Sequence, residues 1–593
     1  MKQHPIRNFV ILALAVGGFF VARAMTGPST TDETTEEGSQ TAQVGLPEAV
    51  EVPSPDRPVV DLDEVENLSE AVANEFLSLS DALRRREFEK ALTWFSNSFA
   101  GDAVTDLAVS STDALPLGAQ RINSDVAQAP VVGREEFIAG FEAILGPWQR
   151  VEHVLWKVKA AEFQAAANMW GRIHFKVTAL GTGPDGGPRH LQMWANAKVI
   201  KVGGRWSLER VKLENQTFLE RSAPLFRDVT TAAGVEHSGI RFGKPGNTDF
   251  AWNGIASGDA DGDGLFDVFV PSRPKSMLYL AREGGTPFVE EAESRGLGGQ
   301  DGGTGAVFFD ADGDGDQDLA VGGVGWREST GRVGGNPLHL YMNDGAGNFT
   351  EEGAERGFDA LCDGYSLVVF DAENDGLLDV YVANYGRVAV KPNDSWVDAK
   401  NGSQDGLFTN TGAGKFKEVA LERGLAESRW SYAAAAADYD EDGDMDIYVA
   451  NDYGTNAFWN NNGDGHFTDV AAKLGVEDLG NGMGCAFGDL NSDGLLDLYV
   501  VNMTSTAGRR ILSRLATKDE SWNALSKMAS GNSIFLAERD ADGEVGFERM
   551  DPKLGGIGAS WAWSTALVDI DMDGLLDIYC CNGYVTGDTA ADT

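Results

Sequence analysis

A chain of 593 residues is too long for one hydrophobic core, and 42% hydrophobic content lets most of it fold, so about two to four domains are expected. A net charge of −43 repels nucleic-acid phosphate and excludes a nucleic-acid partner. The four cysteines, Cys362, Cys485, Cys580 and Cys581, form no CxxC pair and have no histidine cluster beside them, which excludes a zinc site and leaves them as small strand residues.

Residues 1–24 read as an export signal. Lys2 and Arg7 open a basic start, an apolar run follows from Phe9 to Ala22, and Ala22-Arg23-Ala24 is a small-x-small cleavage site. Fourteen apolar residues fall short of the roughly 20 that cross a bilayer, so a cleaved signal is preferred, with a retained anchor as the alternative. Either way the chain is expected to be secreted, periplasmic or on the cell surface. Residues 25–62, rich in Thr, Ser, Glu and Pro, read as a disordered acidic linker.

Residues 63–222 read as a separate α+β domain. Leu68, Val72, Phe76, Leu79, Leu83 and Phe88 recur at helical spacing between Val65 and Phe95, and a second helix is expected over Arg134–Leu145. Alternating runs at 151–163, 168–180, 191–202 and 205–214, with Gly-rich turns at 181–187 and Gly203-Gly204, predict antiparallel strands joined as hairpins. Helices followed by such a meander resemble the cone-shaped nuclear transport factor 2 fold, whose members often hold a pocket. His153, His174 and His190 are scattered and form no acid–base pair.

Residues 223–593 are repetitive. A Phe followed eight residues later by Gly occurs six times, at Phe226/Gly234, Phe288/Gly296, Phe349/Gly357, Phe416/Gly424, Phe467/Gly475 and Phe547/Gly555. Between these pairs runs an Asp-rich nonapeptide with the pattern D-x-[DEN]-x-D-G-x-x-D. Loop 1 offers Asp259, Asp261, Asp263 and Asp267; loop 2 Asp310, Asp312, Asp314 and Asp318; loop 3 Asp371, Glu373, Asp375 and Asp379. Loop 4 offers Asp438, Asp440, Asp442 and Asp446; loop 5 Asp489, Asn491, Asp493 and Asp497; loop 6 Asp569, Asp571, Asp573 and Asp577. Each Phe precedes the next loop by 22 residues, except the first, where the distance is 33. An apolar strand, a hairpin with Asn-Gly chemistry and a short strand complete each unit, which is the sequence form of a propeller blade. The fold class is therefore mainly β: a six-bladed β-propeller, with seven blades as the alternative, preceded by the small cone-shaped α+β domain. Ring closure is expected through pairing of 225–230 with the last strands, and a degenerate seventh blade could lie only in the gap between the fifth and sixth loops, where 503–530 looks more helical than β.

Six copies of four oxygen-bearing side chains at fixed spacing point to a hard cation. Calcium takes about six to eight oxygens, and Gly at position 6 permits the turn around it. An EF-hand is excluded because position 12 is Val or Cys and sits in a strand. Six bound Ca²⁺ would add twelve positive charges and bring −43 to −31. Loop 2 is the most acidic, with Asp316 in addition; loop 5 is the poorest, with Asn491; in loop 3 the longer Glu373 changes the geometry.

The Asp loop with its D-[LIV]-[YF]-V strand and the F-x-[DE]-V…G element resembles the FG-GAP/VCBS repeat family, found in integrin α heads and in bacterial exported proteins, where an ASPIC/UnbV segment often follows; none is expected here. The resemblance implies a calcium-stabilised propeller used in adhesion or ligand binding, with an extracellular protein or glycan as partner. Trp252, Trp430, Tyr432, Trp561 and Trp563, with Tyr385 and Trp396, read as packing between blades, with ligand stacking on one propeller face as the functional alternative. A calcium-assisted polysaccharide-processing enzyme is the second function class; it would need a base cluster, and the repeats hold only His237, His339 and His466.

Overall fold

The computed structural model describes residues 46, 49–59, 61–164, 169–236, 254–272, 275–285, 287–298, 303–323, 336–387, 391–425, 427–504, 520–552, 555–556 and 561–582. The export signal, most of the linker, Trp252 and His237 lie outside them. The chain divides into two compact units, Met1–Arg227 and Asp228–Thr593.

The first unit is a sheet, antiparallel except for its first strand, backed by helices. Asp61 caps α1 (Leu62–Arg84), its Oδ1 accepting the Glu64 amide at 3.0 Å. The expected longer helix stops at Arg84 because Arg86 turns left-handed at φ 60°. The strands are β1 (Phe95–Asp102), β2 (Val109–Leu115), β3 (Ala119–Ser124), β4 (Val131–Val132), β5 (Arg150–Phe163), β6 (Trp170–Thr182), β7 (Pro188–Val202) and β8 (Arg205–Glu220), with α2 (Arg134–Leu145) between β4 and β5. The sheet order is β2-β3-β8-β7-β6-β5, and β1 joins β8 in parallel. Along β6 and β7 every second residue is buried, and these face the apolar stripe of α1 (Val72, Phe76, Leu79, Leu83) and of α2 (Phe137, Phe141). The end of the expected linker departs from expectation. Val50 is buried, the Val59 amide donates to the Phe163 carbonyl at 2.8 Å, and Pro58 bridges Gln164, so 49–59 packs on this unit and caps the edge strand β5.

Among the described residues the second unit holds, in chain order, five four-stranded antiparallel sheets and a sixth of two strands, with two further two-stranded pairings, 336–337 with 361–362 and 454–455 with 479–480. The first sheet is 256–258, 267–270, 277–280 and 289–290; the second is 305–309, 318–322, 339–343 and 349–351; the third is 364–370, 379–384, 406–410 and 416–418. The fourth is 430–437, 446–452, 457–461 and 467–469; the fifth is 482–488, 497–502, 533–539 and 545–549; the sixth is 562–568 and 577–582. Each Asp loop joins the first two strands of its sheet. The first strands lie side by side in series, from 256–258 to 562–568. Apolar clusters fill the spaces between consecutive sheets: Phe269 and Leu278 meet Phe308 and Leu319 between sheets one and two, and Tyr381 and Leu407 meet Ile447 and Ala457 between three and four.

The Phe–Gly pair is an inter-sheet stitch. The Gly is left-handed, and at three of the junctions the carbonyl before it accepts the amide of the next repeat's Phe: Ala233 from Phe288 at 2.7 Å, Arg295 from Phe349 at 2.8 Å and Arg423 from Phe467 at 2.8 Å. Among the described residues the expected seam does not form. Phe226 is 61% exposed, and 225–229 belong to no strand. In every complete sheet the strand at or just after the Phe pairs with the third strand, and the sixth sheet has none among the described residues for 225–230 to join. Of 503–530, the described part holds a helix at Glu520–Met528 and no strand of a further sheet.

Candidate metal loops

All six loops fold alike. The position-1 carboxylate wraps back on the loop, Asp259 accepting the Asp263 amide at 3.0 Å and the Gly264 amide at 2.9 Å, and Asp569 accepting Asp573 at 3.0 Å and Gly574 at 2.8 Å. Position 5 accepts the amide of position 7, as in Asp375 from Leu377 at 2.9 Å. Gly at position 6 is left-handed throughout, from φ 86° at Gly264 to 95° at Gly443. Position 4 is left-handed too, which the sequence pattern did not reveal. It is Gly in loops 1 and 2, but Asn374, Glu441, Ser492 and Met572 take φ 55–62° in the others.

Position 9 plays a part beyond that of ligand. Asp267, Asp318, Asp379, Asp446 and Asp497 are buried. One oxygen of each accepts the amide of position 2; the other accepts an amide at the end of the third strand, for example Ala281 at 2.7 Å and Asn410 at 2.7 Å. This Asp pins the loop to the sheet. Asp577, whose sheet has no third strand among the described residues, keeps only the first bond, from Ile570 at 3.0 Å.

Four loops bring carboxylate oxygens within 4.8 Å of one another: Asp259, Asp261 and Asp263; Asp310, Asp312 and Asp318; Asp438, Asp440 and Asp446; Asp569, Asp571 and Asp577. These four groups could hold a metal ion. The position-3 oxygens give the test of fit. Asp261 Oδ1, Asp312 Oδ1 and Asp440 Oδ1 are buried with no hydrogen-bond donor, as is Asp316 Oδ1 in loop 2. An anionic oxygen buried without a donor is costly, and a cation supplies the missing partner. The donor set is all oxygen, which suits a hard cation. Electrostatics agree. Burial first, then the neighbouring carboxylates, push Asp318 up to about 7 and Asp316 to about 6; burial pushes Asp446 to about 7. Loops 3 and 5 gather no such group. Glu373 pairs with Arg423 in place of turning inward, and Asn491 donates to Asp493 at 2.9 Å.

Of the six described aromatic candidates, Trp430, Tyr432 and Tyr385 are interior, and Trp561 and Trp563 are half-buried. Trp430 is fully buried; Tyr365, Tyr385 and Tyr432 are also buried and pack ring on ring, Tyr365 on Tyr432 at 4.1 Å. Trp396, at 37% exposure, caps this stack through Tyr453 at 5.3 Å. His339 faces Glu351 at 3.5 Å and His466 sits in an exposed hairpin turn beside Asp464 at 2.7 Å, in separate sheets. In the first unit His174 pairs with Glu214 at 2.8 Å and stacks on Trp194, while His153 and His190 are held below the usual histidine range, mainly by burial. Its interior is filled by Phe76, Phe95, Phe137, Phe141, Trp156 and Phe175 in mutual contact.

Comparison with known proteins fits this geometry. The family described as FG-GAP-like repeat matches residues 259–321, 395–449 and 438–500, which include loops 1, 2, 4 and 5. The chain is 24% identical over 384 residues to cartilage acidic protein 1 of Homo sapiens, covering 56% of each, and 23% identical to the Mus musculus protein of that name over 56% of this chain and 57% of that one. It thus spans a little over half the length of the curated relatives it matches. Among solved structures, Aln2 from a Streptomyces species is 13% identical over 25% of this chain and 90% of its own, with a TM-score of 0.19. A protein with a cystatin-like fold from Nostoc punctiforme is 17% identical over 28% and 98%, with a TM-score of 0.17. Likenesses that faint decide nothing about either unit. The chain carries FG-GAP-like repeats.

Proposed function

We propose that the second unit is a calcium-stabilised six-bladed β-propeller, and that the protein is an exported binding scaffold for an extracellular protein or glycan and not an enzyme. The observation that carries the reading is the set of buried, donorless position-3 oxygens in loops whose carboxylates converge. The residues that would hold calcium are the position 1, 3, 5 and 9 side chains of the six loops, with loops 1, 2, 4 and 6 the stronger sites. Bound there, calcium would neutralise the clustered carboxylates and fix the turns between first and second strands.

The chain's acidity is concentrated in this unit, where 62 Asp and Glu face 25 Lys and Arg over residues 228–593. Such a surface favours cationic partners and disfavours polyanions. A scaffold role is favoured over catalysis because His339 and His466 stand apart and each faces a single acid. No helix of the described residues is long and apolar enough to cross a membrane.

The test is a glycan-array and surface-protein pull-down screen with the full-length protein, run with calcium and with chelator. The scaffold reading expects specific capture that chelator abolishes. Calcium-dependent cleavage of a uronate polymer by the same preparation would replace it with the enzymatic alternative.

A further inference from the structure

Three of the Phe–Gly elements carry an arginine immediately before the glycine: Arg295, Arg356 and Arg423. Each makes the same double contact. Arg356 lies 3.7 Å from Asp312 Oδ2 at position 3 of loop 2, and its other terminal nitrogen donates to the Ala413 carbonyl, in the hairpin turn of the next sheet, at 2.8 Å. Arg295 approaches Asp261 of loop 1 at 4.0 Å and donates to Ala346, in the turn of the second sheet. Arg423 pairs with Glu373 of loop 3 and donates to Asp464, in the turn of the fourth sheet. Glu291 and Glu352 hold the first two guanidinium groups from behind, at 2.9 and 2.8 Å.

The same turns are tied to the same loops a second time. Asn343, Asn410 and Asn461 donate to the position-2 carbonyls of loops 1, 2 and 3 at 2.9, 2.7 and 2.9 Å. The turn glycines lie against position 3, so that a Cβ on Gly347 would stand 2.9 Å from Asp261 Cβ and one on Gly414 3.0 Å from Asp312 Cβ. Loop 4, whose carboxylates also converge, lacks the arginine: the residue before the glycine that follows it is Leu474.

We propose that Arg295 and Arg356 are positioning residues that couple cation occupancy of loops 1 and 2 to the seam with the following sheet. Each guanidinium sits on the Oδ2 side of a position-3 carboxylate whose Oδ1 has no donor. A cation at Oδ1 therefore fixes a carboxylate that the arginine links to the neighbouring turn, and the loop and the turn become ordered together. In loop 3 the longer Glu373 reaches the arginine instead of the loop centre, so the link is present without the convergent site. The inference rests on the cation reading of the loops.

The test is hydrogen–deuterium exchange on the full-length protein with calcium and with chelator, in the native chain, Arg356→Gln and Arg356→Lys. Calcium is expected to slow exchange in both turns, 344–348 and 411–415, about tenfold in the native chain. In Arg356→Gln the slowing should shrink to less than about twofold at 411–415 and persist at 344–348, which reports that the variant is folded. Arg356→Lys, which keeps the charge but not the two-pronged geometry, should fall between them. Calcium affinity is a poorer readout, because removing the guanidinium also removes a like charge from the ion's surroundings. Unchanged slowing at 411–415 in Arg356→Gln overturns the proposal, and so does equal loss at both turns. A native chain that binds calcium but shows no slowing at either turn also overturns it while leaving the cation reading standing; a native chain that binds none overturns both.

Discussion

Replacing Gly424 with Ala tests how the repeats are joined. Gly424 has φ +90°, and a Cβ there would lie 2.6 Å from the Phe467 carbonyl oxygen, well inside contact distance. Ala in the left-handed region costs about 1–2 kcal/mol. Relieving the clash moves the two segments apart by several tenths of an ångström and strains the 2.8 Å bond from the Phe467 amide to the Arg423 carbonyl. Losing that bond costs about 1–3 kcal/mol, because the amide is left without a partner. The total is about 2–5 kcal/mol. Gly475 provides the control: its φ is +72°, but nothing lies within 4 Å of its Cβ, so Gly475→Ala should cost only the conformational term of about 1–2 kcal/mol. Urea unfolding in saturating calcium measures both. Equal losses for the two variants would refute the stitch, because they would leave only backbone conformation at work.

Four further outcomes follow from the loops and the first unit. Met572 and Ser492 sit at φ 60° and 61° where loops 1 and 2 have glycine, so Met572→Gly or Ser492→Gly should raise stability by up to about 1 kcal/mol in the same urea assay. Asp314→Ala should lower calcium binding more than Asn491→Ala, because it removes a charged ligand from a converging loop; titration calorimetry reads the difference. In chelator the second unit should lose stability as pH rises from about 4 to 7. Asp318, Asp379 and Asp446, pushed up to about 7 by burial, hold protons in the folded chain that the unfolded chain gives up near pH 4. Calcium should flatten that slope, and calorimetric melts at about pH 5 and about pH 7.5 decide. Trp156, only 2% exposed and stacked on Phe175 at 5.2 Å, should cost about 3–5 kcal/mol on truncation to Ala, with no dependence on calcium.

Patterns with a period were legible in the sequence. Alternation placed β5 to β8 within a few residues, helical spacing gave Arg134–Leu145, and the fixed offset between each Phe and the next loop located the sheets. Contacts between repeats were not legible. Arg356 and Ala413 are 57 residues apart, and nothing in either residue announces the other. The strands β1 to β4 were missed because they are short, polar or, in Val109–Leu115, mostly exposed, so they lack the apolar alternation that marks a half-buried strand. The strand tyrosines Tyr381 and Tyr448 looked like ordinary β residues, yet their hydroxyls bind Asp405 at 2.6 Å and Asn456 at 2.9 Å, polar groups placed just before the third strand. Trp430 and Tyr432 read as either packing between blades or ligand platforms, because sequence position does not tell a ring on a sheet surface from one between two sheets; burial decides for packing. The ring seam at Phe226 failed for a similar reason: strand order within a sheet, not the recurrence of a motif, decides what a segment can pair with.

The most direct test of the calcium-propeller reading is metal analysis of the dialysed full-length protein, paired with a calorimetric melt before and after chelation. The account predicts retained calcium, loops 1, 2, 4 and 6 filling before loops 3 and 5, and a second-unit transition stabilised by about 1 kcal/mol per filled site at calcium several times Kd. No retained calcium, together with a melt that chelator leaves unchanged, would contradict it.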